Sequence, residues 1–116
     1  MIKNATDMRT EMREQMRGGK GSVKIAHLFE PGEFQGKARL MARVTLAPGC
    51  SIGPHEHAGE EELFYIAKGR GLVHDGGQVR EVASGDAIIT GGGSSSHAIE
   101  NIGAEDLELV AVIHTY

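Results

Sequence analysis

Only one cysteine, Cys50, occurs in the 116 residues. No disulfide can close within the chain, and an oxidising compartment is not implied. Tryptophan is absent, aromatics make up 4%, and there are 3 prolines. Proline-rich disorder and collagen are therefore excluded despite 17 glycines, which follow no Gly-X-Y period. No apolar run approaches the roughly 18 residues of a membrane-spanning helix, so no membrane partner is expected. Positive charge is not in excess: 12 Lys and Arg stand against 16 Asp and Glu, a net charge of −4. With a pI near 5.8 the chain lacks the basic footprint of a nucleic-acid binder. The start, MIKNATDMRTEMREQMRGGKG, lacks the apolar stretch of a secretory signal. The expectation is a cytoplasmic protein of one ordinary domain, with 40% hydrophobic residues to form its core.

Glycines scattered between short apolar runs point to many tight turns. Alternation predicts strands. SVKIAHLF puts Val23, Ile25, His27 and Phe29 on one face, and RLMARVTL puts Leu40, Ala42, Val44 and Leu46 on one face with Arg39 and Arg43 opposite. EELFYIAKG, GLVHD, GQVREV, GDAIIT, SHAIEN and LELVAVIHTY continue the series, with Asp75-Gly76-Gly77 as a hairpin turn. About eight short strands predict an antiparallel sandwich or barrel. The one helical candidate is residues 6–17, where Met8, Met12 and Met16 repeat every four residues before Gly18-Gly19. The alternative is an extended segment lying on a neighbouring chain. Charge is uneven: residues 1–43 carry nine basic and five acidic side chains (+4), and residues 44–116 carry three and eleven (−8). That imbalance reads either as solvated surface or as a basic N-terminal part docked on the acidic remainder, within one subunit or across a dimer.

The chemistry concentrates in PGCSIGPHEHAGEEELFYIAKG. His55 and His57 are two apart, so on a strand both imidazoles project from one face and can grip one ion. Pro54 stiffens the approach to them. A hairpin returns Glu62 beside the pair, with Phe64 and Ile66 on its face. His97, after the Gly91–Ser96 loop, can supply a fourth ligand. Three neutral imidazoles and a carboxylate suit Mn, Fe, Co, Ni, Cu or Zn, with open positions for water or substrate.

The first stretch resembles the first motif of the cupin family, matched here by Gly49, His55, His57, Glu62 and Gly69. The second resembles the second cupin motif, matched by Gly85, Gly93, His97 and Asn101, with Gly91 in place of the usual proline and one extra residue before His97. Glu61 would also fit the variable spacing as a ligand, but Gly69 selects Glu62. The resemblance implies an all-β double-stranded β-helix, the cupin jelly-roll barrel, over residues 21–116, behind an N-terminal extension of residues 1–20. It implies one divalent transition metal per chain on His55, His57, Glu62 and His97. It also implies a homodimer, since pairing buries an otherwise open sheet edge.

Ala42, Val44, Ile52, Phe64 and Ile66 are the expected walls of a largely apolar substrate pocket. Glu60 and Glu61 are expected at the barrel mouth facing solvent, and Arg39 and Arg43 at a dimer contact or the surface. His27, His74 and His114 read as structural or surface residues, and Cys50 as a small packed one. The expected function is a metal-dependent enzyme acting on a small organic acid, enol or aromatic compound, of the dioxygenase or decarboxylase type. The alternatives are a non-catalytic cupin that binds a small molecule and a sugar isomerase-like cupin. A sugar-phosphate isomerase would want interior cations, which alternation does not supply.

Overall fold

The computed structural model describes residues 1–93 and 95–116. Ser94, in the Gly91–Ser96 loop expected from the sequence, lies outside the described residues. Among the described residues, ten strands form two antiparallel sheets. The larger sheet runs in the order β1 (Thr10–Glu14), β2 (Ser22–His27), β3 (Ala38–Leu46), β10 (Leu107–Thr115), β5 (Glu60–Lys68) and β8 (Ala87–Gly91). The smaller runs β4 (Ser51–Glu56), β9 (Ser96–Asn101), β6 (Arg70–Asp75) and β7 (Gln78–Ala83). The chain crosses repeatedly between the sheets, and the result is a jelly-roll β-barrel.

The alternating faces meet in one core. Val23, Ile25, Val44, Leu46, Phe64, Ile66 and Leu109 come from the larger sheet and Ile52, Val73, Val82 and Ile99 from the smaller. A buried aliphatic side chain is worth roughly 1.5–3 kcal/mol, against about 0–1 kcal/mol for an exposed ion pair, so this core dominates the cohesion of the sheets. The hairpin at Asp75 forms as expected: Asp75 pairs with Gln78, and the two loop residues, Gly76 and Gly77, have φ of 55° and 94°. Those left-handed values suit glycine and the twist of a two-residue hairpin.

The extension is where the structure corrects the sequence reading. Residues 6–17 are not a helix. A 3-10 turn at Ala5–Asp7 leads into β1, and a second follows at Met16–Gly18. β1 is extended, but it lies on its own chain, pairing with β2 from Thr10 opposite Ala26 to Glu14 opposite Ser22. A single short helix is marginal in water, whereas the open edge of β2 offers β1 a hydrogen-bonding ladder. The methionine stripe is too narrow to reverse that balance: Met12 is 60% exposed, while Met16 packs against the core. Within the chain, ion pairs do not dock the basic part as a whole on the acidic remainder. Lys3 pairs with Glu33, Arg9 with Glu30 and Glu11, and Arg13 with Glu11, all within residues 1–43. Among the described residues, Arg39 with Glu60 is the pair that crosses between the two parts.

Glu11 fastens this edge. It accepts from Arg9 at 2.8 Å and Arg13 at 2.5 Å, and it faces the buried His27 Nε2 at 3.0 Å. The contact with His27, then those with Arg13 and Arg9, outweigh desolvation and lower its pKa from 4.5 to about 2. A carboxyl depressed in the folded state stabilises it above the ordinary value, and that stabilisation is lost as pH falls from about 4.5 through 2. Amide protection factors in Thr10–Glu14 should therefore drop across this window while those in β10 hold. E11Q should remove the pH dependence; a wild-type β1 that stays equally protected at pH 3 and 6 would contradict this.

Candidate metal centre

A bulge in β4 sets the first candidate ligand. Ile52 pairs with Ile99 and His55 with His97, so Gly53 and Pro54 together oppose one residue of β9. The extra residue changes the parity of the strand and lets Ile52 and His55, three apart, both face inward. The Gly53 carbonyl stands 2.8 Å from His55 Nδ1, and His57 follows just beyond the strand end. Glu62 enters from the opposite sheet on β5. His97 sits directly across from His55 on β9, so the extra residue in the preceding loop does not keep it from the cluster.

The four side chains offer ligand atoms that all lie within 4.8 Å of one another. His97 Nε2 is 3.0 Å from His55 Nε2, 3.1 Å from His57 Nε2 and 3.0 Å from Glu62 Oε1. His57 Nε2 is 3.1 Å from the same carboxylate oxygen, and His55 Nε2 is 3.6 Å from it. His57 Nδ1 faces the Glu60 carboxylate at 2.8 Å. With their Nδ1 atoms donating to Gly53 O and Glu60, neutral His55 and His57 each present a bare Nε2 lone pair. Two bare nitrogens and a carboxylate aimed at one point repel unless a cation stands between them. Donors about 2.1 Å from a shared ion are separated by about 3 Å when adjacent at right angles, so the donor set fits a transition metal. Burial pushes the Glu62 carboxyl up, but the imidazoles around it, His55 first and then His97, hold it down at about 2.

A family model for the cupin domain matches residues 42–113, which span the two histidines, the glutamate and His97. The chain is a cupin. An oxalate-binding protein of Thermotoga maritima is 45% identical over 113 residues, covering 97% of this cupin and 93% of that protein. The crystal structure of a predicted oxalate decarboxylase from Thermotoga maritima superposes with a TM-score of 0.94 at 43% identity, covering both chains fully. A polyketide cyclase of Streptomyces resistomycificus, at 21% identity and a TM-score of 0.79 over 98% of this chain and 80% of its own, shares the fold.

Other residues hold this cupin's cluster in place. Phe64 stacks on the His97 ring, centroids 4.9 Å apart and planes within 10°. His97 Nδ1 is buried without a hydrogen-bond partner among the described residues, so the stack is what orients this ring. Glu60 is not directed to solvent as expected. It takes Arg39 in a two-pronged ion pair at 2.6 and 2.7 Å and faces His57, and its pKa is lowered to about 2, chiefly by Arg39 and, against desolvation, by His57. Arg39–Glu60–His57 forms the kind of outer relay that fixes the tautomer of a ligating imidazole. The three-residue spacing from His57 to Glu60 was a signal available in the sequence.

The cluster opens into a cavity of about 80 Å³. Of the five residues expected in a substrate pocket, Val44, Ile52 and Phe64 line this cavity, whereas Ala42 and Ile66 do not and belong to the core. The Ala42 methyl is fully buried between Leu40 and Val44 on one strand face, and Ile66 lies one inward position beyond Phe64. Ile25, Leu40, Ala111 and Ile113 complete the apolar wall. The mouth departs further from expectation, for Arg13, Arg17 and Arg39 line it. Arg39 escapes strand alternation because β3 bulges there: Ile113 pairs with Leu40 and His114 with Ala38, leaving Arg39 as the extra residue. Arg43 stays exposed on β3 and His74 is exposed on β6. His27 is buried and His114 exposed, neither lining the cavity, and Cys50 is half-buried against the core.

Elemental analysis of folded protein should find about one divalent ion per chain in the wild type, and H55A should lose most of it. E60Q keeps the size of the side chain and removes the charge, and should weaken metal affinity roughly 10- to 100-fold in a chelator competition. Unchanged metal content in H55A would overturn the ligand assignment.

Proposed function

We propose that this cupin is a metal-dependent binding protein for a short carboxylic acid, with a two-carbon dicarboxylate such as oxalate as the preferred ligand. The observation that carries this reading is the cavity: about 80 Å³, with His55, His57 and Glu62 of the four-residue cluster in its wall and arginines among its lining residues. An apolar cavity that takes up benzene is about 150 Å³, so the space favours a ligand of a few heavy atoms over an aromatic one. The oxalate-binding relative, matched over nearly its whole length, supports the same ligand class.

His55, His57, Glu62 and His97 would hold the ion, which when bound supplies Lewis acidity toward a carboxylate oxygen. Glu62 brings the negative charge that helps retain a divalent cation. Phe64 keeps the His97 ring flat against the wall. Val44, Ile52 and Ile113 exclude water from the ligand's flanks and strengthen electrostatic contacts there. The arginines draw an anion toward the mouth.

A second reading, turnover of the same ligand to formate and carbon dioxide, is favoured by the likeness to the predicted decarboxylase. The cavity argues for binding first. Apart from His55, His57 and Glu62, its lining among the described residues holds no carboxyl, imidazole, thiol or hydroxyl group to deliver a proton. Glu60, the nearest other carboxylate, is held by Arg39 and His57.

Calorimetry on protein loaded with Mn²⁺ should show saturable oxalate binding that disappears after chelation and returns when Mn²⁺ is restored. Oxalate binding that is absent, or equal without metal, would refute the proposal. Formate released in step with oxalate consumed would establish the second reading.

A further inference from the structure

Residues 15–19 form a strap across the cavity mouth. Its backbone is unusual: among the described residues, Gln15 (φ 50°) and Arg17 (φ 56°) are the two non-glycine positions with positive φ. Side chains other than glycine adopt this left-handed conformation only where their surroundings impose it, and such residues cluster at ligand clamps. Here the imposing contacts are plain. Met16, between the two, is packed against the core and lines the cavity. The Gln15 amide donates to Gly21 O at 2.8 Å, and Lys20 and Ser51 exchange hydrogen bonds at 2.9 Å.

The strap also presses on the β4 bulge. A Cβ on Gly53 would lie 2.1 Å from the Arg17 carbonyl oxygen, and a Cβ on Gly19 would lie 2.2 Å from Ser51 O. Gly53 is the residue whose own carbonyl faces His55 Nδ1. The strap and the candidate ligand thus meet on the two sides of one glycine.

The three arginines at the mouth are not equivalent. Arg39 is committed to Glu60 and Arg13 to Glu11, whereas Arg17 makes no ion pair among the described residues. Arg17 is exposed and is among the residues lining the cavity, and an unpaired guanidinium there offers several N–H donors in a fork that matches a carboxylate.

We propose that the strap is the specificity element of the site: Arg17 binds the second carboxylate of a metal-held dicarboxylate, and Met16 limits the length of the ligand. This inference rests on the binding function proposed above. It makes the extension, rather than the barrel, the part that distinguishes dicarboxylates from monocarboxylates and two-carbon from three-carbon acids.

The test uses the full chain loaded with Mn²⁺ and calorimetric titration with oxalate, malonate and acetate. R17Q should lower the ratio of oxalate to acetate affinity by roughly tenfold or more, the scale of a lost charged hydrogen bond. R43Q, which removes one positive charge from the exposed part of β3, should leave that ratio unchanged. M16A should raise malonate affinity relative to oxalate. Circular dichroism and Mn²⁺ content establish that each variant is folded and loaded. If wild type binds oxalate but R17Q keeps the wild-type ratio, or R43Q lowers it equally, Arg17 is not the second-carboxylate site while the binding function stands. If M16A leaves the malonate-to-oxalate ratio unchanged, Met16 does not set length. Wild-type protein that binds no oxalate removes both readings.

Discussion

Four electron-rich side-chain atoms within 4.8 Å of one another are an unstable arrangement unless a positive charge joins them. Much of the interior is organised to keep them there. Two come from β4 and its end, one from β5 and one from β9, so the group exists only while the two sheets face each other. Each donor has its own restraint: a bulge carbonyl for His55, a carboxylate for His57, an aromatic ring for His97 and three imidazoles around Glu62. Apolar packing supplies the rigidity that polar groups in this geometry cannot supply for themselves.

The cavity next to the cluster is small because the barrel is filled elsewhere. Larger depressions, of about 370 and 450 Å³, lie outside it; one borders β7 and β8, the other β4 and β9. Volume therefore does not mark the site. What marks it is the meeting of ionisable donors, apolar walls and a cationic mouth within a confined space, where charge interactions are least weakened by water. The mouth is also where the extension matters. Its strand closes the edge of β2, and its turn brings Met16 and Arg17 to the opening.

Much of the barrel was legible because strand alternation is local. Val23, Ile25, Ala42, Val44 and Leu46 are buried as their period-two pattern required, and the glycine pair at 76–77 places its hairpin correctly. The cluster of candidate ligands was legible because His55 and His57 carry their relation in their spacing. The failures share a cause. Helical spacing of methionines described residues 6–17 as an isolated segment, while the backbone found a better partner in β2. Alternation placed Arg39 on the outer face, but one residue in that strand has no counterpart in β10, and no local pattern announces such an insertion. Ala42 and Ile66 have the right face for the pocket, yet face alone says nothing of how deep along a strand the open space extends.

The sequence by itself determined the fold class, the cupin motifs and the identity of four candidate ligands, because each depends on residue type and short spacing. Only the tertiary structure decided that His97 lies opposite His55, that Glu60 ties His57 to Arg39, and that the extension lies over its own barrel with Arg17 at the opening. Those relations join residues far apart in the chain. They are set by strand register, by single-residue bulges and by the close approach of Arg17 to Gly53, and a backbone's position against distant backbone is not encoded in any short stretch.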